Sequence, residues 1–73
     1  MTRDEIIEAI RLERIRQENL HPDWPASPSR CFLILAEEVG EVAEAINEGL
    51  PKQTRRELIE SAATCFRWLE NML

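Results

Sequence analysis

The stretch LAEEVGEVAEAINEG, residues 35–49, decides the fold of this chain. Leu35, Val39, Val42 and Ile46 recur at helical spacing, and at about 100° per residue they superimpose into one narrow apolar stripe. Gly49 offers a C-terminal cap and Pro51 stands just beyond it, so the helix closes there. Upstream, Ser27 followed by Pro28 suits a helix start, because proline at the first helical position gives up an N–H that has no partner anyway. The pattern predicts a helix from about 29 to 48. Five glutamates share the quoted stretch, and the stripe sorts them. Glu37, Glu44 and Glu48 point roughly opposite it, where a helix carries solvated charge. Glu38 and Glu41 fall on its flank with Ile34 and Ala45, three residues apart and therefore neighbours on the helix surface.

Downstream, Leu58, Ala62, Cys65, Leu69 and Met72 form a second apolar stripe. It predicts a helix from somewhere in 51–55 to the end of the chain, with Thr54 and Glu57 as its capping box. Glu57, Glu60, Thr64, Trp68 and Asn71 cluster on the other side of that helix. Upstream, TRDE at residues 2–5 offers a capping box of Thr2 with Glu5 for a first helix. One side of this helix carries Ile6, Ala9, Ile10 and Leu20, and it turns polar at Glu13 and Gln17. ENLHPDWPASPS, residues 18–29, stops it: three prolines within seven residues, with Trp24 between two of them, read as an ordered connector ending at Ser27. No strand-period alternation, internal repeat or low-complexity tract is present. The expected fold is all-α, a helical hairpin plus an N-terminal helix forming one domain over residues 1–73.

A 73-residue chain holds one small core, and below about 70 to 80 residues such a core rarely supplies more than roughly 3 to 5 kcal/mol. Disulfides offer no help. Cys31 and Cys65 sit on apolar stripes, no cysteine framework surrounds them, and nothing at the N-terminus resembles a signal peptide, so buried, reduced thiols in a cytoplasmic protein are expected. Two isolated cysteines and the single His21 have no metal-finger spacing. The remaining source of stability is another subunit: three helices complete a four-helix-type bundle by sharing one with a second copy, so a homo-oligomer with a dimer as its minimum unit is expected. A net charge of −5 argues against a nucleic-acid polymer as partner. No apolar run approaches the roughly 20 residues that cross a bilayer, so no membrane partner is expected. The last helix is still periodic at Met72 and Leu73 without a capping signal, so either a partner supports its end or the natural domain runs further.

If the two later helices pair as an antiparallel hairpin across the short 49–53 connection, Glu38 and Glu41 face Glu57 and Glu60 near the loop. Two such charges about 6 Å apart at an effective dielectric near 20 repel by on the order of 3 kcal/mol. A hard divalent cation with oxygen ligands compensates that repulsion; Mg²⁺, which keeps several waters and is usually shared with substrate phosphates, fits best. The plain alternative stays open. Glutamate favours helices, the capping box alone accounts for Glu57, and exposed like-charge pairs cost only a few tenths of a kcal/mol.

At these residues the chain resembles a known family. AEEVGEVAEAI followed by ELIE, with fifteen residues between Glu41 and Glu57, is similar to the carboxylate signature of MazG-like all-α nucleoside triphosphate pyrophosphohydrolases. That signature has two adjacent glutamates, a third further on, and a Glu-x-x-Asp after a spacer. Glu37, Glu38 and Glu41 match its first half and Glu57 opens its second, while Glu60 stands where the family has aspartate. The change keeps the charge and lengthens the arm by a methylene. RIRQENLHPDWP and AATCFRWLE resemble the flanking segments of small members, so most of the chain is covered. The resemblance implies attack of water on a (deoxy)nucleoside triphosphate, releasing pyrophosphate and a monophosphate, with nucleotide-pool house-cleaning as one role of such an activity. It implies Mg²⁺, or Mn²⁺ in its place, held by Glu38, Glu41, Glu57 and Glu60. Glu37 would serve as a further ligand or as a base toward the water, although helical placement turns it outward.

Trp24 either stacks on a base or plugs the end of the bundle. Trp68 and Asn71, on the face of Glu57 and Thr64, are candidate pocket residues, with subunit packing the alternative for Trp68. Gln17 and Glu13 suit a pocket lining or a helix end reaching solvent. Arg14, Arg30, Lys52, Arg55 and Arg56 are candidates for phosphate contacts, whereas Arg67, opposite the stripe, reads as a surface residue and His21 as a turn residue. Two readings compete with the enzyme: a non-catalytic helical module dimerising through the two stripes, and a degenerate homologue that binds nucleotide or metal without turnover.

Overall fold

The computed structural model describes residues 1–72, which form three helices: α1 (Arg3–Leu20), α2 (Pro28–Asn47) and α3 (Pro51–Asn71). The periodicity of the last helix at Leu73 lies outside the described residues. At the start of α1 the Thr2 hydroxyl accepts from the Glu5 N–H at 3.2 Å and the Glu5 carboxylate accepts from the Thr2 N–H at 2.9 Å. Two N–H groups that the helix cannot satisfy internally are thereby paired. α2 opens with Ser27 as its cap and Pro28 in the first turn. It closes on Gly49 at φ 70°, where the Gly49 N–H donates to the Ile46 carbonyl at 3.1 Å and the Leu50 N–H to that of Ala45 at 3.0 Å. This is the paired closure that a left-handed glycine makes possible.

Pro51 then starts α3 at once, with Leu50 as its cap. The expected Thr54–Glu57 capping box is therefore absent: Thr54 already lies inside the first turn and donates its hydroxyl to the Leu50 carbonyl at 2.9 Å. The short connection folds α2 and α3 into an antiparallel pair, and α1 packs on α3 rather than on α2.

The faces that meet are not the ones richest in large apolar side chains. Buried apolar residues are Cys31, Ala45 and Ala63, joined by Glu57, Thr64 and Arg67. Val39, Ile46, Leu58, Leu69 and Met72 are instead more than half exposed, with Ile46 at 61% and Leu69 at 68%. Relative to the expected packing, α2 is turned by roughly a quarter turn, so the flank carrying Ile34, Glu38 and Ala45 meets α3. Small side chains at Ala45 and Ala63 let the backbones approach, and three helices offer too little surface to cover two long stripes as well. Cys65, expected to be buried, is exposed on the outward stripe of α3, while Cys31 is buried as expected. No described helix is long and apolar enough to cross a membrane.

Candidate metal centre

The inward flanks of α2 and α3 bring four carboxylates together. Glu38, Glu41, Glu57 and Glu60 each place an oxygen so that all four lie within 4.8 Å of one another. The cause is local and simple: two acids three residues apart on each helix, and a connection short enough to hold the helices antiparallel. Glu57 is the most deeply placed, at 5% exposure, and Gln53 Nε2 donates to its Oε1 at 2.8 Å. Glu57 Oε2 and Glu38 Oε2 are buried with no hydrogen-bond partner among the described residues. Such atoms carry a desolvation cost unless something compensates it.

Cations around the cluster are few and peripheral. Arg16 Nη2 reaches Glu60 Oε1 at 3.5 Å, but the Arg16 Nε bonds Glu13 more closely at 2.7 Å. Arg14, a candidate for phosphate, is engaged by Glu70 and Glu18, each at 2.6 Å. The carboxylates respond to their own crowding. Loss of solvation, then the Glu41 charge, raises Glu38 above the usual carboxylate range. Hydrogen bonding with the Glu57 carboxyl, then desolvation, raises Glu41. Glu60 is pushed up to about 7, first by desolvation and next by hydrogen bonding with Glu57. The strain of holding Glu60 ionised near neutral pH is one that a divalent cation would relieve, and these oxygen donors suit a hard ion.

The remaining expected site residues divide. Gln17 holds α1 against the cluster, its Nε2 donating to the Glu60 carbonyl and to Glu13 Oε2, each at 3.1 Å. Gln17, Trp24, Glu37 and Glu38 line one cavity of about 380 Å³ beside the cluster. Glu37 is exposed, as its helical position indicated, yet it borders this cavity. Trp68 lines a different cavity, with Leu35, Leu69 and Met72 on the outward face. Asn71 is exposed and donates to the Arg67 carbonyl at 2.8 Å.

Arg67 is the residue that sequence reasoning missed. Expected at the surface, it is only 6% exposed, because the turn of the helices that exposes the stripe of α3 carries its opposite face inward. Its Nη2 donates to the His21 carbonyl at 2.7 Å and its guanidinium lies 5.1 Å from the centre of the Trp24 ring. That clasp fastens the proline-rich connector to α3. The available signal was its place in the series Glu57, Glu60, Thr64, Arg67, which shares one helix face.

Comparison with known protein families, with characterised proteins and with solved structures finds no match to this chain.

Proposed function

We propose that this chain is a Mg²⁺-dependent nucleoside triphosphate pyrophosphohydrolase of the MazG-like kind, turning a (d)NTP and water into a (d)NMP and pyrophosphate. The observation that carries the reading is the cluster itself: four carboxylate oxygens within 4.8 Å, two of the acids keeping a buried oxygen unpartnered among the described residues. Glu38, Glu41, Glu57 and Glu60 would hold the ion, with Mn²⁺ acceptable in its place. When bound, the ion supplies positive charge to phosphate oxygens as negative charge develops on them. Glu37, which lines the adjoining cavity and is not needed as a ligand, orients the attacking water and accepts its proton. The α-phosphorus–oxygen bond to the pyrophosphate breaks as the water oxygen attaches. Gln17 fixes α1 to the Glu60 backbone and so sets the width of the cavity, and Trp24 presents an aromatic wall to a base. Trp68 belongs with the outward apolar face.

A second copy of this chain covers that outward face in the same proposal. Val39, Ile46, Leu58, Leu69 and Met72 are exposed apolar residues of the two stripes, which a monomer of this size would leave against water at about 25 cal/mol for each Å². The same stripes suit a helical module with no catalysis, and product analysis separates the two. ³¹P spectra of a dNTP incubated with the chain and Mg²⁺ are expected to show monophosphate and pyrophosphate. Diphosphate with orthophosphate, or no change, speaks against the proposal.

A further inference from the structure

The cavity beside the carboxylates is lined by the acids Asp23, Glu37 and Glu38 and by the buried cation Arg67. Arg67 follows Glu60 by seven residues on α3, about 10 Å along the helix axis. A nucleotide's sugar bridges a gap of this order between its phosphates and its base. Phosphates drawn to the carboxylate cluster would therefore leave the base near Arg67.

The guanidinium is not used up where it sits. Of its five donors one goes to the His21 carbonyl, and among the described residues the Nε and Nη1 have no hydrogen-bond partner. Whichever N–H of Nη2 is taken, a complete two-donor edge remains. Trp24, in the same wall, carries a second unanswered donor: its Nε1 is buried with no partner among the described residues. Asp23, Glu37 and Glu38 share the cavity and disfavour a further anion there, so the group that answers these donors is a neutral acceptor.

We infer that Arg67 is a specificity-determining residue, whose guanidinium edge accepts a nucleobase with two adjacent hydrogen-bond acceptors and discriminates against adenine. Guanine presents such an edge at O6 and N7, the pairing arginine makes most often with a base. Cytosine presents one at O2 and N3. On adenine the N6 amino group flanks each of the ring nitrogens N1 and N7, so one guanidinium N–H would face another donor. A donor that the base covers and leaves unpaired is costly, which makes the rejection stronger than the attraction. The inference rests on the nucleotide reading proposed above.

The test compares kcat/KM for dGTP, dCTP, dTTP and dATP in the full chain with Mg²⁺, and in Arg67→Lys. Lysine keeps the charge and one bond to the His21 carbonyl but has no planar fork. Binding of dGMP, dCMP and dAMP without metal is followed in parallel by tryptophan fluorescence in a Trp68→Phe background. The wild type should favour dGTP or dCTP over dATP by about 5- to 150-fold. Arg67→Lys should bring them within about twofold, chiefly by raising kcat/KM for dATP. Equal treatment of dATP by the wild type, or a preference that survives in Arg67→Lys, overturns the inference. If no triphosphate is hydrolysed but dGMP or dCMP still outbinds dAMP and the lysine variant loses the difference, the inference stands and the hydrolase proposal falls. Absence of both effects removes both. Should Arg67→Lys lose its helical circular dichroism, the wild-type preference decides alone.

Discussion

Glu60→Gln is expected to stabilise the metal-free chain at about pH 8 and to leave it unchanged below about pH 4.5. Glu60 stands in a group of carboxylates whose oxygens lie within 4.8 Å, and at an effective dielectric near 20 each ionised neighbour at that distance costs about 3 kcal/mol. Raising this acid from its ordinary 4.5 to about 7 corresponds to about 3 kcal/mol as well. Glu41 opens the cluster to water, and solvent screening lowers the net gain to about 1 to 3 kcal/mol. The sign follows from proton binding. Because the folded chain holds the Glu60 proton more tightly than the unfolded chain, stability falls as pH rises from 4.5 to about 7 and is then flat. Glutamine carries no charge to lose, so the variant should omit that fall. The ion pair it weakens, the 3.5 Å approach of Arg16 to Glu60, is exposed on the arginine side and contributes well under about 1 kcal/mol. Urea unfolding with EDTA at both pH values and one fixed protein concentration measures the difference. A variant less stable than wild type at pH 8, or stabilised equally at both, would refute the crowding of charge on which the site depends.

Other consequences can be checked separately. Mg²⁺ or Mn²⁺ at about 100 times its Kd should stabilise the wild type by about 2.7 kcal/mol, read as a rise in Tm, and Glu41→Gln should remove most of that rise while remaining folded. Leu69→Glu, at a position 68% exposed in a single copy, should lower the sedimenting mass toward the monomer; unchanged mass would count against the outward stripes as the subunit contact. Thr2→Ala should destabilise the chain by about 1 kcal/mol in urea, since it removes the hydroxyl that accepts from the Glu5 N–H.

Much of this architecture could be read from local signals. Thr2 with Glu5, Pro28 after Ser27, and Gly49 before Pro51 each act within a few residues, so each marks its helix end without knowledge of the partners. The four carboxylates were foreseeable for a related reason: paired spacing on two helices joined by a short turn leaves little choice of where the acids meet. Which face packs was not foreseeable. Periodicity locates the large apolar residues but is silent on whether they meet within one chain or remain outside it, and Ile46 and Leu69 remain outside. The exposure of Cys65 and the burial of Arg67 are two sides of that rotation, because they occupy nearly opposite faces of α3. Thr54 shows a smaller limit: its spacing to Glu57 fits a capping box, yet Pro51 had already begun the helix.

The most direct test of the central claim is pyrophosphate release from a panel of dNTPs and NTPs with Mg²⁺, beside an EDTA control and Glu41→Gln. The account predicts release that needs the metal and is lost in the variant while its helical content is retained. No release with any nucleotide, from wild-type protein verified as folded and oligomeric, would contradict it.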